Sequence, residues 1–183
     1  MGDSNDTVIS VSDLPLKFTV KYLGSHPSKG LWGMKFTRKP VDNLVSQARN
    51  MPPNVILPIV IFNVSEEGVE FVDRTSKKIK EEPTKFSVEN ISYGVQDLVY
   101  TRVFSMIVVT DDNLNNGVPF ECHSFLCDSR NEARKITYAL AAVFQDYGRK
   151  IKQKNGERPI KKFAIDLRTP EQQAEGVEEE SDV

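Results

Sequence analysis

Hydrophobic and polar positions along this chain change period twice. Phe18, Val20 and Tyr22 alternate with Lys17, Thr19 and Lys21, the period of two that marks a strand with one face covered. That strand is expected to end at Gly24. Residues 25–39 are broken by Pro27, Gly30 and Gly33 around the single tryptophan, Trp32, and read as a loop. Pro40 is then expected to open a short helix, because its fixed backbone angle suits a first helical position. Val41, Leu44, Val45 and Ala48 lie on one side of it and Met51-Pro52-Pro53 ends it.

The period then stays strand-like. Ile56 to Val64 is strongly apolar, with Pro58 restricting its start to an edge or a bulge. Ser65-Glu66-Glu67-Gly68 reads as a hairpin loop. Val69 and Phe71 predict the next strand and Ile79 another, separated by a turn at Asp73 to Ser76. Phe86, Val88 and Ile91 to Val95 predict one strand, Val103 to Val109 a further one, and the Asn- and Asp-rich loop 111–118 leads into Pro119 to Cys127.

From Ala133 the period lengthens to 3.6. Ala133, Ile136, Leu140, Val143, Phe144, Tyr147 and Ile151 form one stripe, and Ser129 with Glu132 three residues later is a capping pattern for a helix start. Roughly 20 helical residues span about 30 Å, enough to cover a sheet face. The order is one strand, a helix, six strands and a closing helix. Short turns between strands imply an antiparallel meander, hence an α+β sandwich or partly open barrel plugged by the last helix.

Composition narrows this to one domain. The chain has 183 residues and 39% hydrophobic content, enough for one core. Residues 1–14 read as a flexible leader, 15–155 as the domain, and 156–183 as a basic linker and an acidic disordered tail. Between 149 and 162 there are seven cations against Glu157, a local +6, and between 171 and 183 six anions and no cation; such blocks are usually solvated. With no basic or apolar leader and no apolar run near 18 residues, the cytosol is the expected compartment. Cys122 and Cys127 lie five apart on one strand, on opposite faces, and are expected to be reduced and buried. The glycosylation triplets at Asn5, Asn63 and Asn90 then carry no meaning.

Catalytic and metal chemistry is missing from the pattern. The two histidines, His26 and His123, are far apart and neither stands beside a Gly-framed serine. Cys122, His123 and Cys127 alternate faces and have no second ligand pair, so they read as core and not as zinc ligands. No Gly-rich phosphate loop occurs, and the pI of 5.8 argues against nucleic-acid binding. Neither an enzyme nor a cofactor is expected.

Five local segments, in order, resemble the phosphotyrosine-binding (PTB) domain, also called the phosphotyrosine-interaction domain, over Leu16 to Lys154. Phe18 to Ser25 (FTVKYLGS) is similar to that family's first strand, and Val64 to Asp73 (VSEEGVEFVD) to its second hairpin. Ile91 to Asp97 (ISYGVQD) followed by Arg102 to Phe104 is similar to its peptide-binding strand and the next one. Glu121 to Cys127 and Ala142 to Gln145 resemble the last strand and the closing helix. The nearest resemblance is to the Disabled, Numb and LDL-receptor-adaptor branch.

The resemblance implies a pleckstrin-homology-like fold that binds Asn-Pro-x-Tyr motifs in cytoplasmic tails of membrane receptors, peripheral to the plasma membrane or endocytic sites. A tail peptide would add as an antiparallel strand beside Ile91, Ser92, Tyr93, Gly94 and Val95, with Leu140, Phe144 and Tyr147 on the helix forming the other wall. Phe144 matches the helix aromatic that packs on the peptide turn. Val118-Pro119-Phe120 has no arginine where phosphotyrosine-requiring members carry one, so phosphate is not expected to be needed. Gly148, inside the helix just past these residues, is expected to bend or shorten it. A basic rim of Lys29, Lys35, Arg38, Lys39, Lys77, Lys78 and Lys80 suits anionic phosphoinositide headgroups as an alternative. Ser181-Asp182-Val183 fits the ending of a PDZ-domain ligand.

Overall fold

Leu16–Pro27 forms β1, and its alternation appears directly as burial: Val20 is covered while Lys17, Thr19 and Lys21 face solvent. A computed structural model describes residues 9–31, 33–75, 82–109, 120–155 and 164–166, and the structure below is of those residues. β1 does not stop at Gly24. Its pairing with β7 (Phe120–Leu126) skips a residue between Tyr22 and Gly24, and Gly24 has a φ of 114°. A non-glycine residue would be strained there. The bulge bends the strand, which then continues to Pro27.

The following helix, α1 (Met34–Arg49), begins six residues before Pro40. Pro40 lies inside it and has no amide to donate to the Phe36 carbonyl. The Ser28 hydroxyl shares its one proton between Gly30 O at 2.9 Å and that carbonyl at 3.2 Å. A buried hydroxyl thus stands in part for the missing backbone bond. The sequence suggests a helix start at Pro40 only because this partner is not local.

β2 (Ile59–Ser65) begins just after Pro58 and turns through Glu66 and Glu67 into β3 (Gly68–Asp73), as the hairpin pattern predicts. Ile79 lies outside the described residues. Phe86 and Ile91 belong to two strands and not to one. β4 (Thr84–Ser87) pairs with β3, a 3-10 turn occupies Val88–Asn90, and β5 (Ile91–Gln96) pairs with β6 (Val103–Val109). The sheet order is β4-β3-β2-β1-β7-β6-β5-β8, with β8 at Ala164–Asp166. β4 and β5 therefore sit far apart in the sheet, which no local pattern could reveal. Seven strands are antiparallel neighbours, the sheet stays open, and β8 joins β5 in parallel.

Two helices cover opposite faces. α2 (Arg130–Asn155) starts where Ser129 Oγ accepts the Glu132 amide at 3.1 Å. Ala133, Ile136, Leu140 and Val143 are all at or below 1% exposure and pack with Phe62, Phe104, Phe125 and Ile91. On the other face Val41 and Val45 of α1 pack with Tyr93, Val95, Val103, Ile107 and Cys122. Cys122 and Cys127 are free, buried and in different clusters, so they face apart as their spacing predicts.

His123 is a buried histidine beside this core. Its Nδ1 is hydrogen bonded to Tyr22 Oη at 2.7 Å, its ring lies against Phe86, and Nε2 stands 3.5 Å from a Glu121 carboxylate oxygen without a hydrogen bond. Burial lowers its pKa from 6.5 to about 4. The unfolded chain therefore takes up a proton below pH 6.5 that the folded chain refuses until about pH 4, so stability falls as pH drops through that window. Between pH 7 and 5 the loss is about 2 kcal/mol by this linkage. Urea midpoints should fall accordingly, and His123→Gln should flatten the pH 5–7 segment even where its absolute stability is lower.

Candidate functional site

β5 pairs with β6 along one edge and, over Tyr93 to Val95, with β8 along the other, and α2 packs beside it as the second wall of the expected groove. Two side-chain bonds fix the separation of β5 and α2. At one end Gln96 Nε2 donates to Thr101 O at 2.7 Å and to Arg130 O at 3.0 Å, tying the end of β5 to the first turn of α2. At the other, Tyr147 Oη donates to Glu89 Oε1 at 2.8 Å, tying α2 to the turn before β5. Burial of the phenol, and then that contact with Glu89, raise the Tyr147 pKa to about 12. Strand and helix run in opposite directions between these ties.

Beyond Gln96, Asp97 organises the β5–β6 connection. Its carboxylate accepts the amides of Val99 and Tyr100 at 3.0 and 2.8 Å and the Arg38 guanidinium at 3.1 Å. The Asp97 side chain is 1% exposed, and a carboxylate so deep requires such partners. Arg38 also pairs with Asp42 at 2.7 Å. Its charge is committed on both sides, so Arg38 belongs to the framework and is withdrawn from the basic rim. Lys29, Lys35 and Lys39 are exposed around the start of α1. Lys77, Lys78 and Lys80 lie outside the described residues, as do Ser181, Asp182 and Val183.

β5 and α2 are neighbours, but most side chains of the expected groove residues are turned inward, and on β5 they divide between two faces. Ile91 packs under α2, whereas Tyr93 and Val95 pack under α1. The register shift between Ile91 and Tyr93 causes this change of face. Ser92 occupies the irregularity, and its one hydroxyl proton is shared between Leu31 O at 2.6 Å and Ile107 O at 3.2 Å. Ser92 therefore braces the strand and does not line the groove. Gly94 is buried as well. On α2, Leu140 is fully buried and supports the wall from beneath, Phe144 is 8% exposed at the core margin, and Tyr147 is partly exposed. Every residue of β5 is buried, and the main chain of Tyr93, Gly94 and Val95 pairs with β8. Glu89, Gln96, Asp97 and Arg130 were not singled out from the sequence. An Asp just after an apolar strand is a recognisable turn signal, but nothing local marks the other three.

Among the described residues no group of His, Cys, Asp and Glu could hold a metal ion, and no helix is long and apolar enough to cross a membrane. Residues 17–169 match the phosphotyrosine interaction domain (PTB/PID) family. The chain belongs to that family. PTB domains are non-catalytic interaction modules, and this one is related to receptor adaptors. It is 30% identical over 128 residues to low density lipoprotein receptor adapter protein 1-A of Xenopus laevis, covering 70% of this chain and 38% of the relative. The human low density lipoprotein receptor adapter protein 1 is 27% identical over 128 residues, covering 70% of this chain and 39% of its own. The match thus spans about two-fifths of those relatives' length. The solution structure of the C-terminal phosphotyrosine interaction domain of mouse APBB2 superposes with a TM-score of 0.55 at 27% identity, covering 72% of this PTB domain's chain and 87% of the other.

Contrary to the sequence reading, Gly148 does not shorten the groove helix, which continues to Asn155, and a Cβ added at Gly148 meets open space. Gly148→Ala should therefore stabilise the domain by about 1 kcal/mol through helix propensity. Calorimetry should show a melting temperature higher by roughly 2–4 °C.

Proposed function

We propose that this PTB domain binds Asn-Pro-x-Tyr segments in the cytoplasmic tails of membrane receptors, and that it does so without tyrosine phosphorylation. The observation that carries this reading is the β5 edge held beside α2 at fixed width by Gln96 and Tyr147. An extended peptide satisfies its backbone by adding to such an edge, and its turn packs against the adjacent wall. On this reading Tyr93, Gly94 and Val95 supply main-chain partners, and Phe144 and Tyr147 form the apolar wall at the margin of the core. The names of the Xenopus and human relatives, adapters of the low density lipoprotein receptor, support a receptor tail as the class of ligand, and hence a cytoplasmic place of action at membranes. The absence of arginine in Val118-Pro119-Phe120 supports indifference to phosphate.

Isothermal titration of the full chain with an Asn-Pro-x-Tyr peptide tests both parts. Phe144→Val should weaken binding about tenfold, a change of about 1.4 kcal/mol, while the melting temperature drops by a few degrees. Unchanged binding would make Phe144 core alone. Tyrosine and phosphotyrosine peptides should bind within a few-fold of each other. A charge-assisted arginine contact would separate them by far more, so a hundredfold preference for phosphotyrosine would overturn phosphate independence.

A further inference from the structure

The β5 edge is already occupied. Ala164, Ile165 and Asp166 of β8 pair in parallel with Tyr93, Gly94 and Val95, and β8 also lies against α2. This is the stretch of main chain that the tail-docking reading assigns to the receptor peptide. We propose that β8 is a tethered competitor: the domain's own segment Ala164–Asp166 holds the groove, and a receptor tail binds by displacing it. The proposal rests on the tail-docking reading above.

Three physical features fit a displaceable occupant. The first is exclusivity, because each outward N–H and C=O of β5 pairs fully with one neighbouring strand at a time. The second is weakness. The pairing covers only three residues and is parallel, slightly less stable per residue than the antiparallel pairing available to a tail. The third is the tether. α2 ends at Asn155 and β8 begins at Ala164, so the eight residues 156–163 connect them, with a reach of at most about 28 Å.

Chain direction follows from the same geometry. Tyr147, tied to Glu89, places the later turns of α2 at the start of β5. β8 runs parallel to β5, from Tyr93 toward Val95, and so away from the end of β5 where Tyr147 holds α2. A short tether keeps the segment at an effective concentration in the millimolar range, so even three residues of weak pairing occupy the groove for much of the time. The tail's apparent dissociation constant is then its intrinsic value divided by the fraction of domains with a free edge. An occupancy of about 70–90% raises it roughly three- to tenfold.

The full chain and its Ala164→Pro/Ile165→Pro variant test this. Adjacent strand residues alternate in the direction of their amides, so two consecutive prolines remove an inward donor in either phase. Hydrogen exchange reads the pairing, and titration with an unphosphorylated Asn-Pro-x-Tyr peptide reads the competition. The expected result is at least tenfold faster exchange confined to residues 93–95, with unchanged protection in β6 and β7, and three- to tenfold tighter peptide binding. Equal exchange in both chains would overturn the proposal whatever the peptide does. Faster exchange with unchanged peptide affinity would show that the strand docks without competing, which also overturns it. Faster exchange with no peptide binding by either chain would refute tail docking itself, and the competitor role with it, while leaving the pairing established. Protection that rises with protein concentration would assign the strand to a second copy and overturn the intramolecular arrangement.

Discussion

The packing of α2 across the open sheet is the interaction on which the rest depends. Ala133, Ile136, Leu140 and Val143 disappear into a cluster with Phe62, Phe104, Phe125 and Ile91. At roughly 25 cal/mol per Å² of apolar area removed from water, large side chains buried this completely dominate the energetics of that face. The same contact leaves the outer edge of β5 running beside a helix. The groove is a by-product of covering a sheet whose last antiparallel strand has no neighbour of its own kind.

Around that contact, polar groups determine geometry more than they add stability. Gln96 and Tyr147 tie the two ends of the groove, Asp97 gathers two amides and the Arg38 guanidinium at the turn after β5, and Ser28 partly completes α1 where Pro40 cannot. Each bond contributes about 1 kcal/mol net. Losing one partner costs more, because a buried acceptor or charge is then left unsatisfied. Such residues fix the separation of β5 and α2.

β8 changes what this geometry means for binding. An unpaired strand edge invites association with other chains, and here three residues of the same chain cover it. A parallel, three-residue pairing protects the edge without sealing it. Protection and accessibility are balanced by the tether, whose short length substitutes for the affinity the pairing lacks.

What the sequence determined by itself was whatever depends on local period and local turn chemistry. The 3.6-residue stripe from Ala133 to Phe144, the Ser65–Gly68 hairpin, the alternation of Phe18 to Tyr22 and the opposed cysteines were all legible, because each is decided by residues within a turn or two of one another. So was the family, through five local segments in the right order. Tertiary structure alone decided the remainder. α1 begins before Pro40 because Ser28, from another segment, partly satisfies Phe36. Phe86 and Ile91 part company because their strands pair at distant places in the sheet. Ser92 turns inward because the register shift in β5 hands its hydroxyl to Leu31 and Ile107. Arg38 leaves the basic rim because Asp97, 59 residues away, is buried beside it. Ala164–Asp166, three residues in a stretch read as linker and tail, is a strand only because β5 offers it a partner: three residues carry no period of their own, and a ladder bond exists only when both edges are present.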